Sequence, residues 1–186
     1  HGFEPIGVPR ASPWPANDAT PVFLSARYAG AQSGYRSQGW AVRDGIMDTE
    51  AVRGHFAARH GLPKCAWLVG FSMGGGIAVA SLEQRSAHYD GALSLCGANV
   101  PGPTLADDLF TTLVAVDALL PAVAKTLGGR LSDPGVPARG QMDVMTAVAS
   151  ALEAAPDIAS RLAGRMEVPR AAVPGIVSLH ALVFRD

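Results

Sequence analysis

The stretch Lys64-Cys65-Ala66-Trp67-Leu68-Val69-Gly70-Phe71-Ser72-Met73-Gly74-Gly75-Gly76 constrains this chain more than any other. Cys65 to Val69 is an apolar run of strand length without polar alternation, the pattern of a parallel strand covered on both faces. From Gly74 to Glu83 the residues become small and helix-tolerant. A strand gives way to a helix within about four residues, and Ser72 falls on the turn between them.

That spacing has a chemical consequence. A serine hydroxyl attacks a carbonyl only if it projects into open space, and a tight strand-to-helix turn pushes it out at the top of a sheet. Gly70 and Gly74 flank Ser72 where neighbouring backbone comes too close for a side chain. The N–H of Met73, in the first turn of the new helix, has no intrahelical acceptor and is placed to hold a tetrahedral oxyanion. With 21 glycines in 186 residues, Gly-x-Ser-x-Gly arises by chance in about one such chain in seven. The pentapeptide gains its specificity from the strand before it and the glycine-opened helix after it.

A chain of 186 residues can bury one good core, and its formal net charge of -1 gives no basic surface for nucleic acid. The composition therefore points to a small-molecule partner. The best apolar run, Ile176 to Phe184, is half the roughly 18 residues needed to span a bilayer and contains His180, so no stable membrane insertion is expected. Cys65 and Cys96 sit at the start and end of successive candidate strands, at opposite ends of a parallel sheet, and are expected to be buried free thiols. They leave the compartment unread. The first residue is His1 and no leader pattern precedes it, which leads us to expect further sequence upstream.

Along the chain, the proline-rich stretch up to Pro21 reads as a loop, followed by a helix opened by Thr20-Pro21 and running to Arg27. A short strand is expected at Tyr28 to Ser33. Gly34 to Gly45 reads as a loop, its Tyr35 and Trp40 suiting a surface near the site or plain packing. A helix then starts near Asp48-Thr49-Glu50 and stops at Gly61. Leu62-Pro63 leads into the strand before Ser72, and Tyr89 to Cys96 is the next strand. Helix and strand alternate three times, the pattern of an α/β chain with a parallel sheet and helices on both faces. From Leu105 to Phe184 only helices are expected: Leu105 to Leu120, Gln141 to Glu153, Pro156 to Leu162 and Ala171 to Phe184. This divides the chain into 1–103, the sheet-bearing core, and 104–186, an all-helical cap or lid. Lid helices held by few core contacts should exchange their amide hydrogens faster than the strand at Trp67 to Val69.

Taken together, the chain resembles the α/β-hydrolase superfamily, in particular bacterial serine esterases and lipases with a helical lid. Gly70-Phe71-Ser72-Met73-Gly74 resembles the family's nucleophile elbow, and His1-Gly2 resembles the His-Gly that ends its third strand. The resemblance covers His1 to about Val100. It implies that Ser72 is the nucleophile and that the N–H groups of Phe3 and Met73 form the oxyanion hole. It also implies a carboxylic ester hydrolase that needs no cofactor. In the family the acid and the histidine follow later strands, so the resemblance further implies that this chain is a fragment lacking the first strands and the Asp/His end. Alone it should then hydrolyse esters slowly or not at all. Within it, His180 is the first residue to consider as base.

Other groups read more plainly. His88 follows the helix after Ser72, which carries it to the opposite edge of the sheet. His55 and His60 are five apart with no further ligand nearby, so no metal is expected. Asp44, Asp48, Asp90, Asp107 and Asp108 read as turn, cap or solvated residues. A serine peptidase or acyltransferase on the same fold is the alternative enzyme, because an elbow does not specify the acyl acceptor. A catalytically inactive binding module is the alternative outside enzymes.

Overall fold

The computed structural model describes residues 1–7, 19–133 and 140–185. Most of the proline-rich loop expected before Pro21 lies outside the described residues. The chain is of mixed α/β class and divides into two compact units, His1–Val100 and Pro101–Asp186.

The first unit runs α1 (Ala19–Ser25), α2 (Val42–His60), β1 (Trp67–Phe71), α3 (Met73–Gln84) and β2 (Gly91–Leu95). The two strands are parallel and in register from Trp67↔Gly91 to Phe71↔Leu95, joined through α3 as parallel strands must be by a crossover. α3 packs against both strands and, on its other side, against α2. Toward the sheet, Ala78 and Leu82 meet Leu68, Tyr89 and Ala92. Toward α2, Met73 and Ile77 pack with Tyr35, Ala41 and Ile46. A Cβ at Gly45 would lie 2.5 Å from Ile77 Cδ1, so the absence of a side chain there sets the distance between these two helices. Burying a side chain such as Ile77 contributes about 1.5–3 kcal/mol.

Four expectations are corrected in this unit. Tyr28–Ser33 forms no strand: its Ala, Gly and Ser residues are poor strand formers and no neighbour pairs with them. α2 starts at Val42, a turn and a half earlier than its acidic residues suggested, and ends as expected at Gly61 with φ 84°. β1 is covered on one face only, with Leu68 and Gly70 buried while Trp67, Val69 and Phe71 are exposed. On that open face the Trp67 ring lies across Gly91, where a Cβ would collide with it. Finally, Cys65 and Cys96 are free but exposed, because both lie just outside the paired strands.

At the N-terminal end of the strands, Glu50 gathers three partners. It accepts from Arg53 Nη2 at 2.6 Å and from Tyr89 Oη at 2.9 Å, and lies 2.9 Å from His88 Nδ1. The Arg53 hydrogen bond is the main cause that holds its carboxyl at about 2. A carboxyl depressed on folding stabilises above its unfolded value, near 4.5, and loses that contribution as pH falls toward 2. In denaturant titrations between pH 7 and pH 2, wild type should therefore lose more stability below pH 4.5 than Glu50→Gln, and the two should converge near pH 2.

The second unit holds α4 (Gly102–Leu119), α5 (Pro121–Leu127), α6 (Gln141–Glu153), α7 (Pro156–Met166) and α8 (Val173–Arg185). α5 went unread in the sequence. Pro121 at its first position ends α4 and turns the chain through 96°. Asp117 secures the turn that follows α5, accepting from the backbone of Leu131 and Ser132 at 2.9 Å each and from Ser132 Oγ at 2.7 Å. α8 packs on α6 and α4, and α5 on α6. No single helix among the described residues is long and apolar enough to cross a membrane.

This unit is not held by few core contacts. Its cluster of 16 buried apolar residues, including Leu113, Val116, Val148 and Val177, exceeds the five around Met73 and the three around Leu68. Opening it exposes more apolar surface, which reverses the exchange order expected from the sequence. Amides of Val144–Val148 and Val177–Ala181 should outlast those of Trp67–Phe71 by at least about tenfold in hydrogen exchange.

Candidate active site

Ser72 follows the last residue of β1 and caps α3 with φ 56° and ψ −126°, a region L-residues with side chains rarely occupy. Four hydrogen bonds fix it there. Its N–H donates to the Leu95 carbonyl at 3.0 Å, and its carbonyl accepts from Gly75 at 2.9 Å, Ala98 at 3.2 Å and Gly76 at 3.3 Å. Strained backbone persists where such surroundings over-determine it, and such residues cluster at functional sites.

The flanking glycines permit the turn. A Cβ on Gly70 would collide with the Gly74 carbonyl and lie 2.7 Å from the Gly75 nitrogen, so β1 and α3 touch backbone to backbone. A Cβ on Gly74 would collide with the carbonyl oxygen of His1. Both glycines are thus required by close approach and not by positive φ. Gly75 is equally crowded, a Cβ there falling 2.6 Å from Ser94 Oγ.

The segment His1–Phe3 runs beside this turn, with an added Cβ on Gly2 lying 3.5 Å from Ser72 Cβ and 4.0 Å from its Oγ. Phe3 packs on the cluster that contains Met73 and Ile77. Neither the Phe3 N–H nor the Met73 N–H has a hydrogen-bond partner among the described residues. Two free backbone donors therefore belong to segments that flank the Ser72 side chain.

Around them sits a polar arrangement that sequence reading missed. Asp48 is buried, against the expectation of a turn, cap or solvated residue. It accepts the Arg36 N–H at 2.7 Å and Arg36 Nε at 2.8 Å, and pairs with Arg36 Nη2. Hydrogen bonding from Arg36 is the chief cause that holds its carboxyl below the usual range. One turn earlier, Asp44 accepts from Ser37 Oγ at 2.6 Å. Tyr35, at φ 45°, lays its ring on that of His1 with centroids 3.9 Å apart. Burial is the first cause raising its hydroxyl pKa. The legible signal was two acids four residues apart, Asp44 and Asp48, preceded by Arg36 and Ser37; it was lost because the helix start was placed too late.

The remaining candidates do not join Ser72 in the first unit. His88 forms a carboxylate–histidine pair with Glu50, but it precedes β2 while Ser72 follows β1, so five-residue parallel strands separate them by about 17 Å. His55 and His60 are exposed on α2, and no metal-binding group of three or more His, Cys, Asp or Glu occurs among the described residues. His180 is on α8 in the second unit, its Nδ1 buried without a hydrogen-bond partner. Burial lowers its pKa, with Asp108 opposing. Cys96, at φ 48°, is a second strained residue at the same strand ends as Ser72.

Compared with known protein families, curated proteins and solved structures, the chain matches none.

Because Gly70 meets backbone that cannot turn aside, Gly70→Ala should destabilise by about 3 kcal/mol or more, the upper end for overpacking. Gly54→Ala, with nothing within 4 Å of the added carbon on an exposed helix face, should be neutral or slightly stabilising in the same denaturant titration.

Proposed function

We propose that this chain is the nucleophile-bearing part of a serine hydrolase acting on carboxylic esters, built on a partial α/β-hydrolase sheet. The single observation that carries the reading is the backbone of Ser72. A serine is held at φ 56° and ψ −126° between a strand and a helix, its turn made possible by Gly70 and Gly74.

In this reading Ser72 Oγ attacks the ester carbonyl carbon and gives its proton to a histidine. The developing oxyanion accepts hydrogen bonds from the N–H groups of Phe3 and Met73. The carbonyl re-forms as the alcohol leaves with that proton, and water then releases the acid from the acyl-serine. Backbone donors suit this task because they are fixed before the charge appears. His1 pairs with Glu4 at 3.5 Å and His88 with Glu50, but among the described residues no histidine ring is hydrogen-bonded to Ser72 Oγ, and the reading assigns the base and its acid to sequence outside the first unit. No step requires a cofactor.

The test is covalent. In the full-length protein a fluorophosphonate should label one serine, Ser72, identified by peptide mass spectrometry. Ser72→Ala should abolish that label and lower turnover of a short p-nitrophenyl ester by at least about 10⁴-fold. Labelling and turnover that both survive the substitution would remove the reading.

A further inference from the structure

We infer that Asp48, Arg36 and Tyr35 act in series as positioning residues that set the Phe3 N–H beside the Met73 N–H. The inference rests on reading Ser72 as the nucleophile. Met73 is held by a regular helix, but Phe3 is not: His1–Phe3 belongs to no helix or strand, and among the described residues up to Gly7 only the bridge Glu4↔Gly39 follows it. Something outside that segment must fix its amide.

The loop between α1 and α2 supplies the fixing from both sides of Phe3. Before it, the Tyr35 ring stacks on that of His1 with centroids 3.9 Å apart. After it, the Gly39 N–H donates to the Glu4 carbonyl at 2.8 Å, and the Gly7 N–H to Gln38 Oε1 at 3.0 Å. Residues 35–39 thus grip the chain at 1, 4 and 7.

The loop is irregular too and takes its own position from α2. Asp48 accepts from both the backbone and the guanidinium of Arg36, which locks the residue next to Tyr35 in place and direction. Asp44 repeats the link one turn earlier through Ser37. Helix formation in α2 requires none of this. An aromatic residue at positive φ is costly, and an ion pair whose arginine side chain is 56% exposed adds little net stability, so holding α2 and the loop together does not explain either. The arrangement is explained by direction, delivered from α2 through Arg36 and Tyr35 to His1 and so to the amide two residues on.

The experiment uses the full-length protein with Arg36→Ala, Tyr35→Leu, Tyr35→Phe and Ser72→Ala. It measures kcat and KM for a short p-nitrophenyl ester, the affinity of a trifluoromethyl ketone that adds to serine as an oxyanion, and Tm. Arg36→Ala and Tyr35→Leu should lower kcat about 10- to 100-fold with KM within about twofold, and ketone affinity should fall in parallel with kcat/KM. Tyr35→Phe, which keeps the stacked ring, should stay within about threefold of wild type. A packing defect alone would lower Tm without that parallel fall. The inference is overturned if Arg36→Ala and Tyr35→Leu keep kcat and ketone affinity within about twofold while Ser72→Ala is inactive. It is overturned equally if kcat falls and ketone affinity does not. Full activity in Ser72→Ala would instead remove the nucleophile reading and this inference with it. Should Tyr35→Leu not fold, Arg36→Ala decides alone, because that side chain is 56% exposed and its loss opens no cavity.

Discussion

The backbone of Ser72 is the constraint on which the first unit depends. Holding a residue with a side chain in that region costs about 1–3 kcal/mol, and the neighbours must offset this cost. They do so through the register of the sheet. Because Phe71 stands opposite Leu95, the next amide along β1 reaches the Leu95 carbonyl, and the chain leaving β2 brings Ala98 back to the Ser72 carbonyl. A one-residue slip would remove both bonds and turn Leu68 out of the core. The strain and the sheet register therefore specify each other.

Close approach completes the arrangement. At Gly70 and Gly74 the strand, the helix and the His1 carbonyl are packed on backbone atoms, so two consecutive elements and a segment about 70 residues earlier meet at one point. Side chains can yield by changing rotamer, whereas backbone of this kind yields only by moving whole elements. A turn built from glycine contacts is accordingly rigid without a large core around it. The clusters near it are small, five and three buried residues, and the second face of the sheet adds little because Trp67, Val69 and Phe71 remain exposed there.

How much of this was legible follows from what each feature requires. The strand, turn and helix around Ser72 were legible because glycine spacing and an abrupt change of residue type are local signals. The stop at Gly61 and the helix Gln141–Glu153 were legible for the same reason. The start of α2 was not, since Val42 is preceded by no capping side chain and only Asp44 of the acidic residues lies in its first turn, the denser Asp48 and Glu50 lying further along. The strand expected at Tyr28–Ser33 had no local contradiction and failed because strand formation needs a neighbour, which no window of sequence reveals. Burial of β1 was misread for a related reason: an apolar run states what a strand can bury, not what packs upon it. In the site, Ser72 and its glycines were visible, and the Asp48, Arg36, Tyr35 series was not, because its meaning lies in contacts among a loop, a helix and a segment some 30 residues away.

These features divide the molecule by the kind of interaction that orders it. The helical unit is ordered by amount of burial, its apolar residues meeting across α4, α6 and α8, and burial is non-directional. In the first unit the ordering is directional: a carboxylate on the backbone amide and the guanidinium of one arginine, an aromatic ring on a ring, a carbonyl accepting three amides. Hydrophobic contact alone fixes which elements meet but tolerates small shifts between them. The carbonyl attack we propose for Ser72 would not tolerate them, since displacement of about 1 Å costs roughly 100-fold in rate. Directional contacts are concentrated in the segments beside the Ser72 turn, and the same cluster that buries Met73 against Ile77 also receives Phe3. In the hydrolase reading we propose, a drift of α2 on α3 would reach both donors through that cluster.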